Sequence, residues 1–120
     1  MWTMFDKLCL GAMRDGRKTV TRRIARFSKK GNLINPCFLD KEYSVKIDRT
    51  KNCYGTVKPI SIKLQTIKEF LETFNDKEAY LEGFDSKEAY LEYFESLHTA
   101  KVWENQDLLI WRIEFEYFDE

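Results

Sequence analysis

The chain has 120 residues, 43% of them hydrophobic and 15% aromatic, enough for one buried core and within the usual size of a single domain. Its 20 basic and 20 acidic side chains cancel to a formal net charge of zero. No apolar run approaches the roughly 18 residues of a membrane span, no basic and then apolar leader opens the chain, and no Gly-, Ser- or Pro-rich stretch marks a linker, so the expectation is one cytoplasmic domain over residues 1–120 with no membrane partner.

The charges are segregated along the chain. Through Lys63 there are 15 lysines and arginines against 5 acids, and from Leu64 onward 5 against 15. Either the basic half forms a contiguous surface that attracts phosphates, or acidic helices sit beside basic strands and the charges intermix in space. Cys9, Cys37 and Cys53 are odd in number and widely spaced, as expected of reduced thiols rather than a disulfide framework.

In chain order, Phe5, Leu8, Cys9, Ala12 and Met13 keep the spacing of one helical face, and Gly16 stands where a helix end wants a left-handed residue, which predicts a helix over about residues 4–15. The β-branched Thr19-Val20-Thr21 suits extended backbone, so Lys18 occupies a helix-to-strand corner. Lys29-Lys30-Gly31-Asn32 reads as a turn. Tyr43, Val45 and Ile47 alternate as in a half-buried strand, and residues 48–52 read as a loop. Tyr54 to Leu64 predicts a second strand, with Pro59 arguing for an edge position or a bulge near Lys58.

Helical spacing returns at Ile67, Phe70, Leu71 and Phe74. Asn75-Asp76-Lys77-Glu78 and Asp85-Ser86-Lys87-Glu88 offer two similar helix starts, the second with an apolar face at Tyr90, Tyr93, Phe94 and Leu97. Residues 77–82 and 87–92 repeat one short pattern, too brief to mean a repeat protein. The chain closes with its clearest strand, Leu109, Trp111, Ile113, Phe115 and Tyr117 on one face and Ile110, Arg112, Glu114 and Glu116 on the other. Strands with helices inserted between them and no regular alternation predict an α+β domain on a mixed or barrel-like sheet.

Chemistry concentrates at Gly16 to Arg23, where Arg17, Lys18, Arg22 and Arg23, with the nearby Arg14, surround two threonine hydroxyls. Arginine forks and a lysine point charge suit phosphate groups, although a solvated basic turn would have the same composition. The order Gly16, Lys18, Thr21, Arg23, after an amphipathic helix and before a basic turn, resembles the Gly-x-Lys-x-x-(Glu/Thr)-x-Arg signature of ASCH domains, a branch of the PUA-like barrels. The resemblance continues through Leu81-Glu82-Gly83-Phe84-Asp85-Ser86 and the terminal Ile110-Trp111-Arg112-Ile113-Glu114-Phe115. It implies a PUA-like mixed β-barrel with two to three flanking helices and a role in RNA or nucleoside recognition.

One branch of that family comprises small amidohydrolases that deacetylate N4-acetylcytidine, and it is similar in carrying threonine at the position of Thr21. By that resemblance Lys18 is the general base, Thr21 the nucleophile and Glu82 the proton donor; Glu78 and Glu88 lie close enough in sequence to rival Glu82. Lys18 and Thr21, three residues apart, meet only if the backbone turns between them. The chain departs from the branch in its paired Arg22-Arg23 and in the longer insertion with aromatics from Tyr90 to Phe94, features that suit a polynucleotide.

A non-catalytic RNA module would use Arg17, Lys18, Arg22, Arg23 and the Lys29-Lys30 turn, with Trp103 as a pocket wall. A protein-interaction domain would instead offer its acidic helices to a basic partner. Cys9, Cys37, Cys53 and His98 lack the paired spacing of a metal site, so no metal or other cofactor is expected. His98 finds no matching nucleophile and is expected at a helix C-terminus, where its charge complements the dipole. The absence of a glycine-rich phosphate loop argues against nucleotide hydrolysis and hydride transfer.

Overall fold

A computed structural model describes residues 2–3, 5–47, 53–98, 102–105 and 107–119. The expected loop at 48–52 lies outside these residues. Helix α1 spans Lys7–Arg14, strand β1 Val20–Ile24, β2 Tyr43–Ser44 and β3 Thr56–Thr66. Helices α2 (Ile67–Thr73), α3 (Asp76–Leu81) and α4 (Lys87–Leu97) follow, then a 3-10 turn over Val102–Glu104 and strand β4 (Leu109–Phe118).

Each helix begins on a side chain that accepts a backbone N–H from its first turn: Asp6 from Cys9, Thr66 from Glu69, Asn75 from Glu78 and Ser86 from Ala89. These bonds satisfy donors that a helix start leaves open. Gly16 takes the left-handed backbone expected of it, at φ 75°. Four α-helices thus accompany the sheet among the described residues, more than the two or three expected, because Asn75 and Ser86 each cap a separate helix.

The strands form an antiparallel sheet in the order β1-β4-β3-β2, a curled half-barrel rather than a closed mixed barrel. The long β3–β4 ladder is its spine. Pro59 pairs with Phe115 and Ser61 with Glu114, so Ile60 is the extra residue of a bulge, one residue beyond the proline that forecast it. Past Val57, β3 has no strand on its other side among the described residues, because β2 reaches only Val57 and Thr56. The alternation at 43–47 yields only a two-residue strand, yet Val45 is fully buried as its place in the pattern requires.

Alternation along β4 sorts two cores. Trp111, Ile113 and Phe115 pack with Trp2, Phe5, Cys9, Leu10 and Met13, while Ile110 packs with Ile67, Phe70, Phe74, Tyr90 and Phe94 from α2 and α4. Trp103 joins the second cluster, stacked 5.6 Å from Phe70 and 5.1 Å from Phe94, with its indole N–H donating to Glu95.

This placement makes Trp103 a packing residue. Trp103→Ala is expected to lower unfolding free energy in urea by about 2–4 kcal/mol, a little under the roughly 3–5 kcal/mol for a fully buried aromatic because Trp103 is half-buried. A loss below about 0.5 kcal/mol would return Trp103 to a surface role.

Candidate functional site

The corner between α1 and β1 is built by backbone bonds at both ends. Arg17 and Lys18 donate their N–H groups to Ala12, closing the end of α1, and Thr19 N–H donates to Leu81 at the end of α3. Gly83 permits that docking: its φ is 96°, and a Cβ there would stand 3.1 Å from the Ala12 Cβ. The result brings Glu82, which ends α3, directly onto Lys18.

Lys18 and Glu82 are only 3% and 2% exposed, and their side chains meet at 2.9 Å. The Lys18 Nζ also donates to the carbonyls of Val20 at 2.8 Å and Glu82 at 2.9 Å, so the three protons of an ammonium each have an acceptor. The second Glu82 oxygen accepts from Arg22 at 2.9 Å, and the Tyr90 phenol lies close enough to feel this carboxylate. Burial first, and then the Glu82 charge, push the Tyr90 phenol well above its ordinary range.

The ion chain extends further. Arg22 donates to Glu78 at 2.7 Å, and Arg112 on β4 donates to both Glu78 oxygens at 2.9 and 3.2 Å. Lys18, Glu82, Arg22, Glu78 and Arg112 therefore alternate in sign. Burial works against the Glu78 charge, but its two arginine partners outweigh that and hold it below the usual carboxylate range. Arg22 also lies over the rings of Phe74 and Phe70, at 4.9 and 5.5 Å. Both Glu78 and Glu82 are thus used, whereas Glu88 is exposed.

Beside this chain a cavity of about 600 Å³ opens along β1, an edge strand, within the range of about 300–1,000 Å³ for small-molecule sites. Lys18, Thr21, Arg22 and Glu82 line its buried part, with Trp2, Phe5, Cys9, Tyr90, Phe94 and Trp111 as apolar wall. The exposed residues Arg26, Ile34, Asn35, Leu97 and His98 form the rim. The indole N–H groups of Trp2 and Trp111 have no acceptor among the described residues.

Two links steady the wall. Tyr93 donates its hydroxyl to Asp6 at 2.8 Å, tying α4 to the cap of α1. Burial opposes the Asp6 charge, but the Cys9 backbone N–H, Tyr93 and the Lys18 charge together hold its carboxyl below the ordinary value. Arg23 donates to the Trp2 carbonyl at 3.0 Å and lies over Phe5. Burial pushes the Cys9 thiol up to about 11, so it stands in the wall as an apolar group.

The structure thus brings Lys18, Thr21, Arg22, Arg23 and Glu82 to one cavity. Arg17 instead pairs with Asp85 at 2.7 Å and covers Tyr80. Lys29 and Lys30 lie on an exposed turn, and neither they nor Trp103 line the cavity. His98 stands at the C-terminal end of α4 as expected, and partial desolvation and then the nearby Arg23 charge lower its pKa. Five of the six described ion pairs join the basic first half to the acidic second half, so the two halves intermix.

Arg112 and the rim residue Arg26 carried no readable signal. Arg112 sits on the polar face of β4, and its alignment with Arg22 depends on strand register. All three cysteines are free thiols. Among the described residues no cluster of histidines, cysteines and acids has the form of a metal site, and no helix is long and apolar enough to cross a membrane.

An α+β half-barrel with a charged cavity at its first strand defines the class of fold. Its architecture is similar to a crystal structure of an ASCH domain from Lactobacillus crispatus JV V101, with a TM-score of 0.69 at 16% identity over 94% of this chain and 72% of that one. It is also similar to a DUF984 protein from Enterococcus faecalis V583, with a TM-score of 0.61 at 16% identity over 95% of this chain and 71% of that one. The chain therefore has the ASCH fold. No protein-family model matches it, and neither does any curated protein.

The buried ions yield a direct test. Lys18→Met and Glu82→Gln should each cost about 3–5 kcal/mol in urea unfolding, because each strands a buried charge. The double variant should recover at least about 1 kcal/mol of the summed loss. Strict additivity would mean that the two side chains do not meet.

Proposed function

We propose that this protein is an ASCH-type domain that binds a nucleoside in the cavity along β1 and hydrolyses the N4-acyl amide of N4-acetylcytidine. The observation that carries this reading is the 2.9 Å contact of Lys18 Nζ with Glu82 inside a cavity that Thr21 also lines. Aromatic walls suit a stacked base, and the amide is the bond that these three residue types together are suited to break.

The steps balance on this chain's own groups. A proton moves from the Lys18 ammonium to the Glu82 carboxylate, leaving a neutral amine and a carboxylic acid. Thr21 Oγ1 then attacks the acetyl carbon as Lys18 takes the hydroxyl proton. Collapse of the tetrahedral adduct breaks the carbon–nitrogen bond. Glu82 protonates the departing cytidine N4, which restores the starting charges. Water, deprotonated by Lys18 after a second proton shift, hydrolyses the acetyl-threonine ester; Glu82 returns the proton to Thr21, and acetic acid leaves and gives up its proton to solvent as acetate.

A second reading is a binding-only RNA module. Arg22 favours it, because its contact with Glu82 at 2.9 Å occupies the second carboxylate oxygen while Lys18 occupies the first, so neither faces a departing amine unpartnered. The two readings share the cavity and differ in turnover.

Incubation with N4-acetylcytidine, following acetate, separates them. Thr21→Val is expected to cut acetate release by about a hundredfold or more, while cytidine binding persists. Unchanged turnover in Thr21→Val would remove Thr21 as nucleophile. Cytidine binding without any turnover in the unaltered protein would leave the binding module.

A further inference from the structure

Four cations, Lys18, Arg22, Arg23 and Arg26, line the cavity, and Glu82 is the one carboxylate among the described residues that does. The deep charges are accounted for. Lys18 and Arg22 share Glu82, and Arg22 is bound to Glu78 as well. Arg26 differs: it stands exposed on the rim, and among the described residues it meets no carboxylate. The rim thus carries positive charge that the cavity wall does not offset.

Two neighbours reinforce this. Arg23 follows Arg22 on β1 and lines the same cavity. His98, on the rim from the end of α4, is partly desolvated and near enough to Arg23 for that charge to lower its pKa. Asn35 adds an amide that can donate to oxygen.

A neutral nucleoside would use the aromatic wall and the charged floor but leave the rim unanswered. We infer that the rim formed by Arg26, Asn35 and His98, backed by the Arg23 charge in the wall behind it, is a phosphate subsite, so that the cavity takes a nucleoside monophosphate, free or within an RNA strand, in preference to a neutral nucleoside. This rests on the reading of the cavity as a nucleoside site, with the base and its N4 substituent against the floor and the phosphate at the opening. Arginine is suited to the outer position, since its planar fork matches phosphate oxygens and remains charged at every accessible pH.

Calorimetric titration of the full chain at low salt with cytidine, cytidine 5′-monophosphate and ribose 5-phosphate tests the subsite. The monophosphate should bind about tenfold more tightly than cytidine, the worth of one or two charge-assisted contacts. The gap should narrow at high salt and shrink several-fold in Arg26→Gln, an exposed position at which folding is not at stake. A short cytidine-rich RNA strand that binds more tightly than the monophosphate would assign the phosphate to a polynucleotide; a weaker one, to a free nucleotide. Equal affinities for cytidine and its monophosphate would overturn the subsite while leaving the nucleoside reading intact. Binding of ribose 5-phosphate in an Arg26-dependent way, with no binding of cytidine, would keep the subsite and remove the nucleoside reading. A gap that Arg26→Gln does not change would place the phosphate elsewhere and overturn the inference, and no binding by any ligand would overturn both.

Discussion

The buried contact of Lys18 with Glu82, extended by Arg22, is the constraint on which the site depends. Each of the three side chains is at most 3% exposed, and taking such charges out of water costs several kcal/mol per ion unless partners replace the lost hydration. The partners come from three places in the chain: the corner after α1, strand β1 and the end of α3. Satisfying the charges therefore fixes the relative positions of those elements. A hydrophobic trio of equal size would fill the same space, but many arrangements would satisfy it. Charges with paired distances near 2.9 Å admit few.

The same constraint shapes the cavity. β1 is an edge strand, so among the described residues no strand flanks its outer side, and the ion chain ties the end of α3 to β1. Aromatic residues from both cores close the walls: Trp2, Phe5 and Trp111 from one face of the sheet, Tyr90 and Phe94 from the other. The floor is charged, the walls are apolar and the rim is cationic, the three layers that the proposed ligand would meet with its polar substituent, its base and its phosphate.

Much of this was legible in the sequence, for identifiable reasons. Helix caps are local, and Asn75 and Ser86 stand where a cap is needed; Asp6, expected inside the first helix, instead caps it, so that helix starts at Lys7. The alternation from Leu109 to Tyr117 is long enough to announce a strand, and Pro59 cannot donate to a ladder, which forecast the bulge at Ile60. The union of Lys18, Thr21 and Glu82 came from resemblance to a family signature, not from spacing. What stayed hidden depends on contacts between distant segments. Trp103 stands in a polar stretch of sequence, yet it stacks on Phe70 and Phe94, residues brought there by α2 and α4. Arg112 joins the ion chain only because β4 and β1 pair in one register. The segregated charge of the two halves could have formed two surfaces; the ion pairs intermix them instead.

The most direct measurement is a heteronuclear NMR titration of the protein with cytidine 5′-monophosphate, read residue by residue. A nucleotide cavity built on the buried ions predicts the largest amide shifts at Lys18 to Ile24, Glu82 to Phe84 and Tyr90 to His98, with the 29–31 turn and the β2–β3 end of the sheet undisturbed. Shifts confined to the Lys29-Lys30 turn, or absent from Lys18, Thr21 and Glu82 at saturating ligand, would contradict it.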